Sequence, residues 1–470
     1  MKLNWKNKKV TVMGLGLHGG GVAVTRFFAR AGAKVTATDL RSEVVLMPSL
    51  EKLKGWPIKY VLGRHRVEDF RETDLVVQNP GVPNDSPYLK VARKAGVPIE
   101  NEAGIFFELV KVPVIGITGT KGKSTVTTLV GEILKKFFPR TIVAGNIRTA
   151  AMLDILPKID RNTKVVLELS SWQLEGLVRH KVSPRYALIT NVLPDHLNRY
   201  SSFNAYAQTK GIIFRFQKPG DLVVLNYDNR ITRKLGNQAR SQVIWFFKKP
   251  FTSPAARGAF VNEGEIVFGT AKSYQPIMPV SEVHLLGEHN LENILAAVAL
   301  TRSLKVPDRI ISASIRRFKS VGSRLETARK YKGVTFINDT TATAPIATLA
   351  ALKALGSDRQ IILIAGGQDK GLDYRELGRL IDRLAKSLVL LPGTASKKIR
   401  QAVKKTPIHS AEDMDIAVRK AFRLAEPGDT VLLSPAAASF NLFNNEFDRG
   451  EKYLQAVKDL KQNATNPKQN

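Results

Sequence analysis

The chain has 470 residues, more than one hydrophobic core fills, so two or three domains are expected. It contains no cysteine, which excludes disulfides, thiolate catalysis and zinc–thiolate sites. Its 72 Lys and Arg against 41 Asp and Glu leave a net charge of +31; such a charge suits nucleic acid, anionic small substrates or lipid heads, but no long basic run or aromatic-interleaved basic stretch occurs, so the charges read as spread over solvated faces.

The opening MKLNWKNKKVTVMG is basic without an apolar segment, so no signal peptide is expected. No run of about 18 apolar residues occurs, so no membrane span is expected and the protein reads as cytoplasmic. KKVTVMG predicts a strand, GLGLHGGGVAVTRFFARAG a turn into a helix, KVTATD a second strand, and DLVVQNPGV at 74–82 a strand entering a Gly/Pro loop. That alternation predicts a parallel sheet. A second unit begins near Val112, with PVIGITGT as strand and KSTVTTLVGEILKKF as a helix whose apolar residues recur at helical spacing. TIVAG, KVVLELSS, YALITNV and DLVVLN follow as strands, and the unit continues through a helix around GEHNLENILAAVALTRSL to about residue 320. FFKKPFTSPAARGAF at 246–260 mixes Lys, Pro, Ser and Gly and is expected to be a surface excursion. From Gly322, TFINDT, QIILIAGG, SLVLLPG and TVLLSPA read as strands with helices between them, and the polar end DLKQNATNPKQN is expected to fray.

The strongest local signal is TGTKGKST at 118–125, placed between a strand and a helix. Glycines there let backbone N–H groups approach phosphate oxygens, and the helix N-terminus adds positive potential. Gly119, Thr120, Lys121, Gly122, Lys123, Ser124 and Thr125 form the expected cradle, with Lys123 reaching the β/γ-phosphates and Ser124 holding Mg2+. The full pattern asks for Gly at 117, where this chain has Ile117, so the loop is a shortened variant. A second signal, GLGLHG at 14–19 with Asp39 twenty residues beyond Gly19, matches a dinucleotide fingerprint, but the same architecture holds any diphosphate-linked nucleotide. Glu168 in LELSSWQLE and His196 in NVLPDHLNRY stand at strand ends beside the phosphate loop, where a carboxylate and an imidazole suit Mg2+.

GITGTKGKST, LELSSWQLE, NVLPDHLNRY, GEHNLENILAA, SRLE, INDTTATAP, AGGQDKG and LLSPAAASFNLF occur in the order seen in Mur ligases, and the chain resembles that family from about residue 112 to 450. GLGLHGGG and QNPGV extend the resemblance to the N-terminal part, and LELSSWQLE with SPAAASFNLF is most similar to the D-glutamate-adding branch. The resemblance implies an α/β fold of three domains: Rossmann-like at 1–111 for the UDP-sugar, P-loop ATPase-like at 112–320 for ATP, and Rossmann-like at 321–470 for the amino acid. It implies an ATP-dependent ligase that adds D-glutamate to UDP-N-acetylmuramoyl-L-alanine through an acyl phosphate, in peptidoglycan precursor synthesis. By resemblance Leu17, His18, Asp39, Arg41, Gly81 and Asn146 contact the UDP substrate. Asn290, Asn293, Arg324 and Asp339 join the phosphate loop on ATP. Thr343, Lys370, Ser439 and Phe440 hold D-glutamate, and Lys123, His196, Lys210 and Lys370 form the catalytic set. Two Mg2+ ions are implied, on Ser124 and Glu168 and on His196 and Lys210, the last as a carbamate formed with CO2. A helix lysine is by default exposed, and the carbamate requires a neutral amine, which burial or neighbouring cations favour.

Three departures from the family pattern fall at four positions. Thr341 stands where lysine is frequent, Ser323 where histidine usually precedes Arg324, and Glu446–Phe447 reverse a common aromatic–acidic order. Glu446 would repel a dicarboxylate if it faced the pocket. Other readings are another Mur ligase, a folylpolyglutamate-type ligase, a dinucleotide-dependent oxidoreductase using GLGLHG and Asp39, and a nucleic-acid-stimulated NTPase using the positive charge. A monomer acting on small molecules, without nucleic acid, is expected.

Overall fold

A computed structural model describes residues 4–17, 19–147, 150–195, 199–248, 256–285, 287–318, 322–356, 359–439 and 442–460. The chain forms two compact units, Met1–Glu282 with Glu292–Arg317, and Val283–Leu291 with Phe318–Asn470.

The first unit carries two sheets. Strands β1 (Lys9–Met13), β2 (Lys34–Asp39), β3 (Ile58–Leu62), β4 (Leu75–Gln78) and β5 (Ile99–Glu100) pair in the order β3-β2-β1-β4-β5, all parallel. The next sheet uses β6 (Val114–Thr118), β7 (Thr141–Gly145), β8 (Lys164–Glu168), β9 (Tyr186–Ile189), β10 (Leu222–Asn226), β11 (Gln242–Phe247), β12 (Gly258–Asn262), β13 (Glu265–Gly269) and β14 (Tyr274–Pro279). Its order is β14-β13-β12-β11-β10-β9-β6-β8-β7; the strands from β7 to β12 run parallel, and β13 and β14 add antiparallel pairs. Such parallel strands are covered on both faces, which is why they read as near-continuous apolar runs. The helix Lys123–Phe137 covers one face, burying Val126, Leu129, Val130, Ile133 and Leu134 at the spacing of a helical stripe.

The second unit holds β15 (Glu326–Tyr331), β16 (Val334–Asn338), β17 (Ile361–Ala365), β18 (Ala385–Leu390), β19 (Ile408–Ser410) and β20 (Thr430–Leu433), in the order β15-β16-β20-β17-β18-β19. All pairs are parallel except β15 with β16. Alternation along β17 divides its side chains between two cores: Ile361, Leu363 and Ala365 face one, Ile362 and Ile364 the other. Buried Arg449 is held within this unit, donating to Thr340 O at 2.8 Å and Ala437 O at 3.1 Å.

The segment 246–260, read from sequence as a surface excursion, is described at its flanks alone, since 249–255 lie outside the described residues. Phe246 and Phe247 end β11, Gly258–Phe260 open β12, and Phe247 stacks on Phe260 with ring centroids 5.0 Å apart. Both flanks of the Lys/Pro/Ser stretch are therefore buried sheet, because aromatic cross-strand packing outweighs the local turn composition.

Candidate active site

In each sheet the expected site residues follow adjacent strands, so topology gathers them at the C-terminal edge, where open α/β sheets bind ligands. The central edge is the richest. The phosphate loop follows β6, Glu168 ends β8, Asn146 follows β7, and 190–195 follows β9, on four neighbouring strands. Ile117, standing where the longer pattern has glycine, is a fully buried residue of β6. The shortened loop thus starts two residues later, at Gly119. Gly122, at φ 83°, caps the helix Lys123–Phe137, and a Cβ there would run into the Asn293 carbonyl oxygen. Only glycine meets both demands. Lys123 Nζ donates to Gly119 O and Thr120 O, both at 3.1 Å.

The segment after β9 braces the loop from the other side. Thr120 N donates to Asn191 O at 2.9 Å, Lys121 N to Asn191 Oδ1 at 2.9 Å, and Lys121 Nζ pairs with Asp195 at 3.3 Å. Thr120 Oγ1 meets the Tyr206 hydroxyl at 3.1 Å. Sequence reasoning passed over Asn191, Asp195 and Tyr206 as site residues. The available signal was position: Asn191 and Asp195 share the strand-end segment with His196, and Tyr206 sits one helical turn before Lys210.

Glu168 is 1% exposed. Its Oε1 accepts from Asn146 Nδ2 at 2.8 Å, while its Oε2 makes no hydrogen bond among the described residues. A buried carboxylate oxygen without a partner is costly unless a cation answers it, so the donor set at this edge fits a divalent metal. No group of three acidic or histidine side chains clusters for a metal among the described residues, and His196 lies outside them. Asn146, expected on the UDP substrate, here orients Glu168.

Lys210 is not the exposed helix lysine that composition favours. It is 2% exposed on the inner face of the helix Phe203–Arg215. Its Nζ donates to Thr118 Oγ1 at 3.1 Å, and that hydroxyl donates to Leu169 O beside Glu168. Burial first, then the nearby Lys123 cation, lower the Lys210 ammonium well below its ordinary range, against the opposing pull of Asp195 and Glu168.

At the first sheet, β2, β1 and β4 are neighbours, so Asp39 and Arg41, Leu17, and Gly81 follow adjacent strands. Both Asp39 oxygens are engaged: Oδ2 accepts from Gly16 N and Oδ1 from Arg41 N, each at 2.9 Å. Asp39 therefore staples the glycine loop to the segment carrying Arg41. Leu17 is half-buried, and Arg41 and Gly81 are exposed. His18 lies outside the described residues.

In the second unit β16, β20 and β17 are neighbours. Lys370 Nζ donates to Thr343 Oγ1 at 3.1 Å, joining two residues expected on the amino acid. Ser439 is buried; Phe440 lies outside the described residues. Asp339 accepts from Ser434 Oγ at 2.8 Å, and its carboxyl is pushed up to about 7 by burial, against the lowering pull of that hydrogen bond and of Arg324. Asn290 is buried in the first turn of the helix Glu288–Ser303. The departures at Thr341 and Ser323 touch each other, Thr341 Oγ1 donating to Ser323 O at 2.9 Å. Glu446 lies in the first turn of the helix Glu446–Asp459, where a negative side chain complements the helix dipole.

These observations define a phosphate-loop α/β protein with three sheets. Comparison with known proteins identifies the family. Residues 8–101 match the Mur ligase MurD-like N-terminal domain, 117–301 the Mur ligase middle domain, and 323–437 the Mur ligase glutamate ligase domain. The chain belongs to the Mur ligase family. It is 45% identical over 460 residues to the UDP-N-acetylmuramoylalanine–D-glutamate ligase of Roseiflexus sp. (strain RS-1), covering 96% of this chain and 98% of that one. It is 37% identical over 460 residues to the protein of the same name from Caldanaerobacter subterraneus subsp. tengcongensis, covering 97% and 99%. Among solved structures, the fold is shared with UDP-N-acetylmuramate–alanine ligase MurC of Thermotoga maritima (TM-score 0.64, 22% identity, 97% of this chain and 100% of that one). It is shared also with MurF ligase of the same organism in complex with ADP (TM-score 0.60, 18% identity, 98% and 100%).

Proposed function

We propose that the chain is an ATP-dependent ligase joining D-glutamate to UDP-N-acetylmuramoyl-L-alanine in peptidoglycan precursor synthesis. The observation that carries this reading is the central sheet edge, where the phosphate loop, the unpaired Glu168 oxygen and buried Lys210 stand on neighbouring strands and one adjoining helix. The relatives' shared name supplies the substrates. In this reading residues 1–111 bind the UDP moiety, 112–320 ATP, and 321–470 the amino acid, in a cytoplasmic monomer.

The γ-phosphate passes to the substrate carboxylate, giving an acyl phosphate and ADP. The amine of D-glutamate attacks the acyl carbon, the C–O bond to phosphate breaks, and inorganic phosphate leaves. Lys123 and the loop N–H groups stabilise charge on the phosphates. Lys370 pairs with a D-glutamate carboxylate beside Thr343 and Ser439. Ser124 and Glu168 would hold one Mg2+, and His196 with Lys210 as its carbamate a second; bound there, the ions neutralise phosphate charge. Burial and the nearby Lys123 cation lower the Lys210 ammonium, which favours the neutral amine that CO2 captures.

The test is phosphate release from Mg-ATP and UDP-N-acetylmuramoyl-L-alanine with amino acids added singly. Release that depends on D-glutamate supports the reading; none with D-glutamate, or release driven by DNA or RNA instead, defeats it.

A further inference from the structure

Arg199 has no role in the reaction as described above, yet its guanidinium reaches two separate segments of the first unit. Its Nη1 donates to Pro80 O at 3.3 Å and Val82 O at 3.1 Å, gripping the loop on both sides of Gly81. Its Nη2 pairs with Glu175 at 3.3 Å, and its guanidinium carbon lies 5.0 Å from the centre of the Trp172 ring. Glu175 is fixed in turn by the Tyr200 hydroxyl at 2.9 Å and by Asn84 Nδ2 at 3.0 Å. Trp172 and Glu175 belong to the helix Ser171–Glu175, which starts three residues after Glu168 behind a Ser170–Gln173 capping box. Arg199 itself follows His196 by three residues. One guanidinium thus ties the loop of Gly81 to the helix that follows Glu168 and to the segment that carries His196.

We propose that Arg199 is a positioning residue that sets the UDP-substrate loop against the nucleotide edge of the central sheet. The role rests on the reading of Gly81 as a UDP-substrate contact. The guanidinium is what the geometry needs, since Nη1 reaches two carbonyls and Nη2 a carboxylate while the cation lies over an indole. Lysine keeps the charge and loses the guanidinium. Glu175→Gln keeps the shape and loses the ion pair.

The experiment measures separate KM values for UDP-N-acetylmuramoyl-L-alanine and ATP in wild type, Arg199→Lys and Glu175→Gln, alongside thermal melting. Arg199→Lys raises KM for the UDP substrate roughly tenfold and leaves KM for ATP within about twofold, because the bonds to the Gly81 loop are lost while the phosphate loop keeps its own bonds to Asn191. Glu175→Gln shifts the same constant in the same direction by a smaller factor, and it decides the matter if Arg199→Lys yields no folded protein. A UDP-substrate KM at the wild-type value in a folded variant overturns the role, as does an equal rise in both constants. Wild-type protein without D-glutamate-dependent turnover overturns the functional reading beneath it.

Discussion

Lys210 shows how far a single residue's chemistry depends on where it is buried. A lysine on a helix is ordinarily a solvated cation, but this one sits against Thr118 and near Lys123 with almost no exposure. Incubation with carbon-13 bicarbonate is expected to give a carbamate resonance in wild type that is absent from Lys210→Arg, and acidification is expected to release CO2. Lys210→Ala is expected to lose roughly a hundredfold or more in kcat, the scale of removing one electrostatic contributor. Full activity in that variant would contradict the assignment. Gly122→Ala tests the loop at the same scale. The left-handed backbone and the nearby Asn293 oxygen both oppose a side chain, so the cost is about 1–3 kcal/mol of strain at the site. Calorimetry with a non-hydrolysable ATP analogue should show weakened binding, and unchanged affinity would refute this account of the loop.

At the scale of elements, Glu102 links two of them. It opens the helix Glu102–Leu109, and its Oε1 accepts from Leu153 N at 3.2 Å at the start of the helix Met152–Ile155. Burial raises its carboxyl from the ordinary 4.5 to about 7, against the lowering pull of the Leu153 and Met152 N–H groups. The folded chain therefore binds this proton more tightly than the unfolded chain. Its contribution to stability is fully present below about pH 4.5 and is lost as the pH rises through about 7. Chemical denaturation at about pH 5 and about pH 8 should show wild type losing on the order of 1–3 kcal/mol more than Glu102→Gln across that interval. Identical pH dependence in the two proteins would contradict it. Elements were legible in the sequence where apolar runs were long, as for β6, β8, β17 and β20. The strands β3, β5, β14, β15 and β19 were missed because neither a long apolar run nor clean alternation marks them, and β11, β12 and β13 were missed although β11 and β13 hold short apolar runs, because they flank turn-rich sequence. The flanks of the 246–260 segment were not read as strands because they obtain their order from aromatic partners outside the local pattern.

For the whole molecule, three α/β units and the order of the site motifs were readable from the sequence because glycine loops and strand-end residues are local features. Side-chain partnership was not readable. Nothing in LELSSWQLE or TIVAGNIR signals that Asn146 orients Glu168, and nothing at Thr341 signals its bond to Ser323, since both pairings arise from sheet order rather than spacing. The net charge of +31 gave no guide to function; the sheet edges did. Family membership removes the dinucleotide-oxidoreductase and nucleic-acid-stimulated readings and leaves the activation of a UDP-linked carboxylate as the central claim. That claim is tested most directly with UDP-N-acetylmuramoyl-L-alanine labelled with oxygen-18 in its carboxylate, turned over with Mg-ATP and D-glutamate. Attack of the carboxylate on the γ-phosphate predicts that the phosphate released carries one labelled oxygen; phosphate without label, formed by water, would contradict the account.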